Sequence, residues 1–172
     1  ANGGTMIFDT TADSAIATGV GSYNNVRLEA AKRPQAGTLD INGTLVLTAA
    51  GVLDLATNGA ALDVALGTTN DGTITGGAGL VTFSGTVTNN DTITAGSGDI
   101  TFGDTVANND TITAGGGDIT FNDTVTNAAA ATIEAGDYEI TATSGTGIQG
   151  GIVSIGNGTV HAIGSVTTLT SS

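Results

Sequence analysis

Between Asn70 and Asn127 the apolar residues recur in a fixed frame. In register the chain reads NDGTITGGAGLVTFSGTVT, NNDTITAGSGDITFGDTVA and NNDTITAGGGDITFNDTVT. Ile74, Ile93 and Ile112 stand 19 residues apart. The same spacing relates Val81, Ile100 and Ile119; Phe83, Phe102 and Phe121; Val87, Val106 and Val125; and Asn70, Asn89, Asn108 and Asn127. Each repeat holds three short segments, TIT, ITF and TV(T/A), in which apolar and polar residues alternate. Alternation sends Ile100 and Phe102 to one side and Asp99 and Thr101 to the other, the signature of a strand with one buried face. Gly, Asn and Asp separate the segments and supply the turns. Gly at such short intervals argues against a helix.

The frame extends in both directions with decay. Stepping back 19 residues from Ile74, Val81 and Phe83 reaches Leu55, Leu62 and Val64. One turn earlier the match runs from Asn58-Gly59 to Asn42-Gly43, which sets Leu45 and Leu47 before Leu62 and Val64. Forward, Ile133 and Ile140 follow Ile112 and Ile119 by 21 residues, so two residues enter at Ala128–Ala131. The end, with Ile152, Ile155, Val160, Ile163, Val166 and Leu169, keeps the style and loses the register. About seven turns fit between Gly37 and Leu169.

Two architectures suit many short strands of constant spacing: a β-solenoid, and an antiparallel meander or sandwich. Column identity favours the solenoid, because a coil of rungs at the ~4.8 Å strand spacing sets like on like. The expected fold is therefore all-β, a parallel solenoid with rungs of about 19 residues and an irregular N-terminal segment. The Asn column suits a ladder of stacked amides, each donating to the next. Residues 1–35 hold the single Pro and do not follow the period. They read as a cap or a subunit-docking segment, and residues 36–172 as the repeat domain. Open solenoid ends recruit other chains unless capped. The uncharged C-terminal SVTTLTSS is poor protection for an edge.

Charge is unevenly placed. Residues 1–35 contain Arg27, Lys32 and Arg33, and residues 36–172 contain thirteen acids with no Lys or Arg. Such a body has no electrostatic footprint for nucleic acid or an anionic membrane. No apolar run approaches the roughly 18 residues of a membrane helix, so membrane insertion is not expected. The chain has no Cys, which removes disulfides and thiolate metal sites. It begins at Ala1, as a chain whose leader has been removed would.

The repeated GxITFxxTVTNNDTIT pattern, from about Leu39 to Ile148, resembles the repeats of secreted bacterial β-helices, the filamentous haemagglutinins and autotransporter passenger domains. The resemblance implies a right-handed parallel β-helix at the cell surface or secreted, used in adhesion or in building a surface structure.

Candidate chemistry is sparse. His161 is the single His, and the acids occupy repeated, equivalent positions, whereas an active site is a singular constellation, so no enzyme is expected. No organic cofactor is implied. Stacked carboxylates at Asp99, Asp118 and Glu139, and at Asp104 and Asp123, would repel, and calcium would bridge them through hard oxygen ligands. The Thr73/Thr75, Thr92/Thr94 and Thr111/Thr113 pairs flank the Ile column and form two outward files, interrupted at Glu134. N-x-T sequons occur at Asn42, Asn90, Asn109, Asn122 and Asn157. Met6, Ile7 and Phe8 would add a strand to a neighbour, and Arg27, Lys32 and Arg33 would meet its acidic body. The function expected is a structural subunit of an extracellular filament or sheath, polymerising with itself head to tail. The alternative is a monomeric adhesin or passenger that binds glycan or host surface.

Overall fold

The computed structural model describes residues 4–9, 14–19, 21–162 and 169–171. Each of the three segments of a repeat is a strand, and each strand pairs in parallel with its equivalents one rung away. Three sheets result. Sheet A runs β1 (Thr5–Phe8), β3 (Asn25–Leu28), β6 (Leu45–Leu47), β9 (Thr68–Asn70), β12 (Val87–Asn89), β15 (Val106–Asn108), β18 (Val125–Asn127) and β21 (Ile148–Gln149). Sheet B runs β2 (Ser14–Ile16), β4 (Ala31–Pro34), β7 (Val52–Asp54), β10 (Thr73–Thr75), β13 (Thr92–Ala95), β16 (Thr111–Ala114), β19 (Thr132–Glu134), β22 (Ile152–Ile155) and β24 (Leu169–Ser171). Sheet C runs β5 (Thr38–Ile41), β8 (Ala61–Val64), β11 (Val81–Phe83), β14 (Ile100–Phe102), β17 (Ile119–Phe121), β20 (Glu139–Ala142) and β23 (Thr159–Ala162). The eight strands of sheet A, at ~4.8 Å each, give a rod of roughly 38 Å. The expected parallel β-solenoid is the fold observed. Ile163 and Val166, read as part of the decaying repeat, lie outside the described residues.

The inward columns are the core. On sheet B, Leu53, Ile74, Ile93, Ile112, Ile133 and Val153 stack in register. On sheet C, Ile41, Val64, Phe83, Phe102, Phe121 and Ala142 do the same. These side chains are buried, each contributing about 1.5–3 kcal/mol for a large apolar group. The Phe rings lie nearly parallel, with centroids 5.4 Å apart between Phe83 and Phe102 and 4.9 Å between Phe102 and Phe121. That offset stacking adds about 0.5–1.5 kcal/mol per pair beyond area burial.

The two-residue insertion expected at Ala128–Ala131 is a turn in which the Ala131 N–H donates to the Ala128 carbonyl at 2.8 Å. It leaves Ile112 over Ile133 and Ile119 over Ile140. Two backward extrapolations differ. Ile74 pairs with Leu53 rather than Leu55, although Val81 and Phe83 pair with Leu62 and Val64 as expected. Leu45 and Leu47 pair with Thr68 and Asn70 in sheet A and do not belong to the column of Leu62 and Val64. Leu39 and Ile41 occupy that place. The cause is a longer corner between β7 and β8, closed by the Gly59 N–H to the Ala56 carbonyl and the Ala60 N–H to the Leu55 carbonyl. Asn58-Gly59 thus turns a different corner from Asn42-Gly43, and matching the two dipeptides shifts the frame.

The boundary expected at residues 35/36 has no counterpart in the sheets. β1 and β3 stack in register below β6, and β2 and β4 below β7. The four described strands of the N-terminal segment belong to the same coil, β1 and β2 to its first rung and β3 and β4 to the second, which β5 completes. Phe102→Ala is expected to lower the unfolding free energy by about 3–5 kcal/mol. Urea denaturation followed by circular dichroism measures it in a chain that has no Trp.

Candidate functional site

The buried amide ladder sits where sheet A turns toward sheet B. Asn70 donates through Nδ2 to Asn89 Oδ1 at 2.8 Å, Asn89 to Asn108 at 2.8 Å, and Asn108 to Asn127 at 2.7 Å. The same Nδ2 groups also donate to main-chain carbonyls, of Thr92, Thr111 and Thr132 in turn. Asn127 ends the ladder on the carbonyls of Ala131 and Ile152. The other end is not closed. Below Asn70 the column holds Leu47 and then Leu28, which offer no donor. Asn70 Oδ1 and Thr68 Oγ1 are buried there with no hydrogen-bond partner, a penalty of about 1–3 kcal/mol for each such group.

A second ladder runs beside it on the surface, and the sequence analysis missed it. Asn90 Nδ2 donates to Asp71 Oδ1, and Asn109 Nδ2 to Asn90 Oδ1, each at 2.7 Å. Its signal in the sequence is the Asx residue that follows Asn70, Asn89 and Asn108 at the same spacing. Four of the sequon asparagines, these two with Asn42 and Asn157, are rung-to-rung links. Asn42 Nδ2 donates to Ser22 Oγ, and Asn157 Nδ2 to Asp137 Oδ1 at 3.1 Å. Asn122 is exposed.

The carboxylates expected to hold calcium are turned onto protein donors. Asp99 Oδ1 accepts the Asp118 N–H at 3.0 Å, and Asp118 Oδ1 accepts the Glu139 N–H at 2.9 Å. Glu139 Oε1 accepts the Thr141 hydroxyl at 2.6 Å. Asp104 and Asp123 accept the N–H of Thr105 and Thr124. Among the described residues no group of three or more His, Asp or Glu is arranged to hold a metal ion. Stacking brings these acids into files; Asp99 and Asp118 each accept an N–H from the neighbouring rung, whereas Asp104, Asp123 and Glu139 accept donors of their own rung.

The docking residues divide. Met6, Ile7 and Phe8 on β1 stand in register with Val26, Arg27 and Leu28. Met6 and Ile7 are half exposed, at 50% and 52%, on the outermost strand of sheet A. Phe8 is half buried and meets the Tyr23 ring edge-on at 6.4 Å. The cations depart from expectation. Arg27 Nε pairs with Glu29 Oε1 at 2.6 Å, and Arg33 Nε with Asp54 Oδ2 at 3.1 Å, both within the chain. Lys32 is 1% exposed. Strand alternation in β4 sends Lys32 and Pro34 inward and Ala31 and Arg33 outward, and Lys32 lies in register with Leu53. It thus occupies the apolar column of sheet B, so it does not face a neighbour's acidic body. Its place 21 residues before Leu53 was the signal in the sequence.

His161 is exposed on β23, in register with Thr141. An open depression of about 320 Å³ lies at the N-terminal end of sheet C, lined by Gly19, Gly21, Thr38, Asp40 and Asp63. Asp40 and Asp63 are in register on adjacent strands.

Asp54 links the corner after β7 to β4 through Thr57 and Arg33. Burial pushes its carboxyl up, but the Thr57 hydroxyl at 2.6 Å, the Thr57 N–H at 3.0 Å and Arg33 outweigh that and hold it below its ordinary value. A depressed carboxyl stabilises the fold above the unfolded-state value and loses that contribution as pH falls through the folded one. The melting temperature should accordingly exceed that of Asp54→Asn near neutrality, with the gap closing below about pH 4. The two ladders are separated by substitution. Asn89→Ala is expected to lower stability by about 1–3 kcal/mol through orphaned buried groups, and Asn90→Ala by no more than about 0.5 kcal/mol. Chemical denaturation reads both.

No curated protein and no solved structure matches the chain. The profile of one family does, over residues 22–162, from the second rung to the last strand of sheet C. That span covers most of the coil described above, and the chain belongs to the Toastrack DUF4097 family.

Proposed function

We propose that this chain is a non-catalytic structural subunit of the cell exterior whose solenoids stack head to tail into a filament or sheath. The reading rests on one observation: among the described residues β1 is the outermost strand of sheet A, with Met6 and Ile7 half exposed. An edge strand offers a row of main-chain donors and acceptors, and an apolar one invites pairing. A contact between unlike ends repeats without closing and makes an open polymer. The secreted setting is carried by the resemblance of the repeats to haemagglutinin and autotransporter β-helices, and by a body without Lys or Arg beyond residue 35.

The second reading, a monomeric rod that binds glycan, is favoured by the hydroxyl file of Thr82, Thr101, Thr120 and Thr141 along the outer face of sheet C. Negative-stain microscopy and light scattering of the purified chain separate the two. Long polymers are expected, and the double substitution Met6→Lys, Ile7→Lys should leave single rods with unchanged circular dichroism. Short single rods of the unsubstituted chain at every concentration would overturn the filament.

A further inference from the structure

The corner that shifted the frame also carries chemistry. Three Asn-Gly pairs lie among the described residues, at Asn42-Gly43, Asn58-Gly59 and Asn157-Gly158. In such a pair the Gly main-chain nitrogen can attack the Asn side-chain carbonyl carbon. The new C–N bond closes a five-membered succinimide and expels the side-chain nitrogen as ammonia. Water then opens either carbonyl of the ring, leaving aspartate or isoaspartate. The sum is Asn plus water giving an acid plus ammonia, with solvent as the only co-reactant. The step requires the peptide between the two residues to rotate, so it depends on what holds that peptide.

Two of the pairs are clamped between rungs. Gly43 is buried, and a side chain there would collide with the Asn24 carbonyl. The Asn42 N–H donates to the Tyr23 carbonyl at 2.8 Å, and the Gly43 carbonyl accepts the Leu66 N–H at 3.1 Å. Gly158 is half buried against the Tyr138 carbonyl. The Asn157 N–H donates to Asp137 Oδ1 at 2.8 Å, and the Thr159 N–H to the Tyr138 carbonyl at 3.2 Å. Rotating either peptide would break links to the next turn of the coil.

Asn58-Gly59 is different. Both residues are exposed, and a side chain built at Gly59 would meet nothing within 4 Å. Gly59 has φ near +62°, and its N–H makes a long 3.3 Å bond to Ala56 within its own turn. The corner protrudes from the rod, so its peptide can turn without moving a neighbouring rung. All three Asn side chains donate one hydrogen bond through Nδ2, so the side-chain bond does not distinguish them; the glycine's surroundings do.

We propose that Asn58-Gly59 is a deamidation site selected by the fold, where the chain ages to aspartate and isoaspartate at position 58. Conversion removes the donor of the 2.8 Å bond from Asn58 Nδ2 to the Pro34 carbonyl. That bond ties the corner of the third rung to the end of β4. The product also adds a negative charge to the corner that follows Asp54, and isoaspartate adds a methylene to the backbone of the turn.

The test incubates the folded chain in mildly alkaline buffer beside a sample held in denaturant. Cleavage before aspartate isolates residues 54–62, and mass spectrometry follows that peptide and those holding Asn42 and Asn157. In the folded chain the 54–62 peptide should give way to its isoaspartate form, which has lost ammonia and gained water, and to the fragments 54–57 and 58–62 cut at the new aspartate, while the other two stay intact; in denaturant all three should convert at similar rates. Asn58→Gln should abolish the early acidic species in the folded sample. Equal conversion of the three pairs in the folded chain, or persistence of Asn58 where denaturant converts it, would overturn the proposal. Asn2-Gly3 lies outside the described residues and is followed as a separate peptide.

Discussion

Register between successive rungs is the constraint from which the other features follow. Parallel pairing puts each residue against its counterpart one turn away, at the strand spacing of ~4.8 Å. A side chain in the core therefore packs chiefly on residues of its own column. Ile over Ile and Phe over Phe are solutions that need no further adjustment, because each rung reproduces the environment of the last. The same condition admits a polar column inside the core. A carboxamide carries donor and acceptor together, so a stack of Asn satisfies itself along the axis. Asn89 and Asn108 are fully buried on these terms.

Trouble arises where a column changes identity. Between β6 and β9 the inward residues of sheet A pass from Leu45 and Leu47 to Thr68 and Asn70. At that step lie the two buried oxygens with no partner. The far end of the ladder has no such defect, because main-chain carbonyls take the last amide hydrogens. Lys32 is a second change of identity, a long cationic residue at the foot of an aliphatic column. Both irregularities fall in the N-terminal half, where the repeat has decayed.

Repetition also governs the outer surface. A residue type that recurs every rung yields a file, and the files here are carboxylates, amides and hydroxyls. The repeated carboxylates and amides find partners in the next turn or the next residue, as in the Asp99 to Asp118 to Glu139 succession. Such a surface is uniform along its length and places its distinctive chemistry at the interruptions. The long corner between β7 and β8, the depression beside Asp40 and the exposed β1 are three of these.

The amino-acid sequence determined the three strand types, the parallel stacking, the Phe, Ile and Asn columns and the insertion at Ala128–Ala131. It could do so because each of these is written several times, and only one arrangement lets every copy meet its like. Where there is a single copy, the sequence left choices open. The tertiary structure decided that Lys32 points inward, that Leu45 and Leu47 belong below the amide ladder, and that the repeated carboxylates accept main-chain N–H groups. In a lone strand of four residues, one step of register exchanges inside for outside. Which side wins is settled by the rung already in place beside it, and that neighbour is distant along the chain.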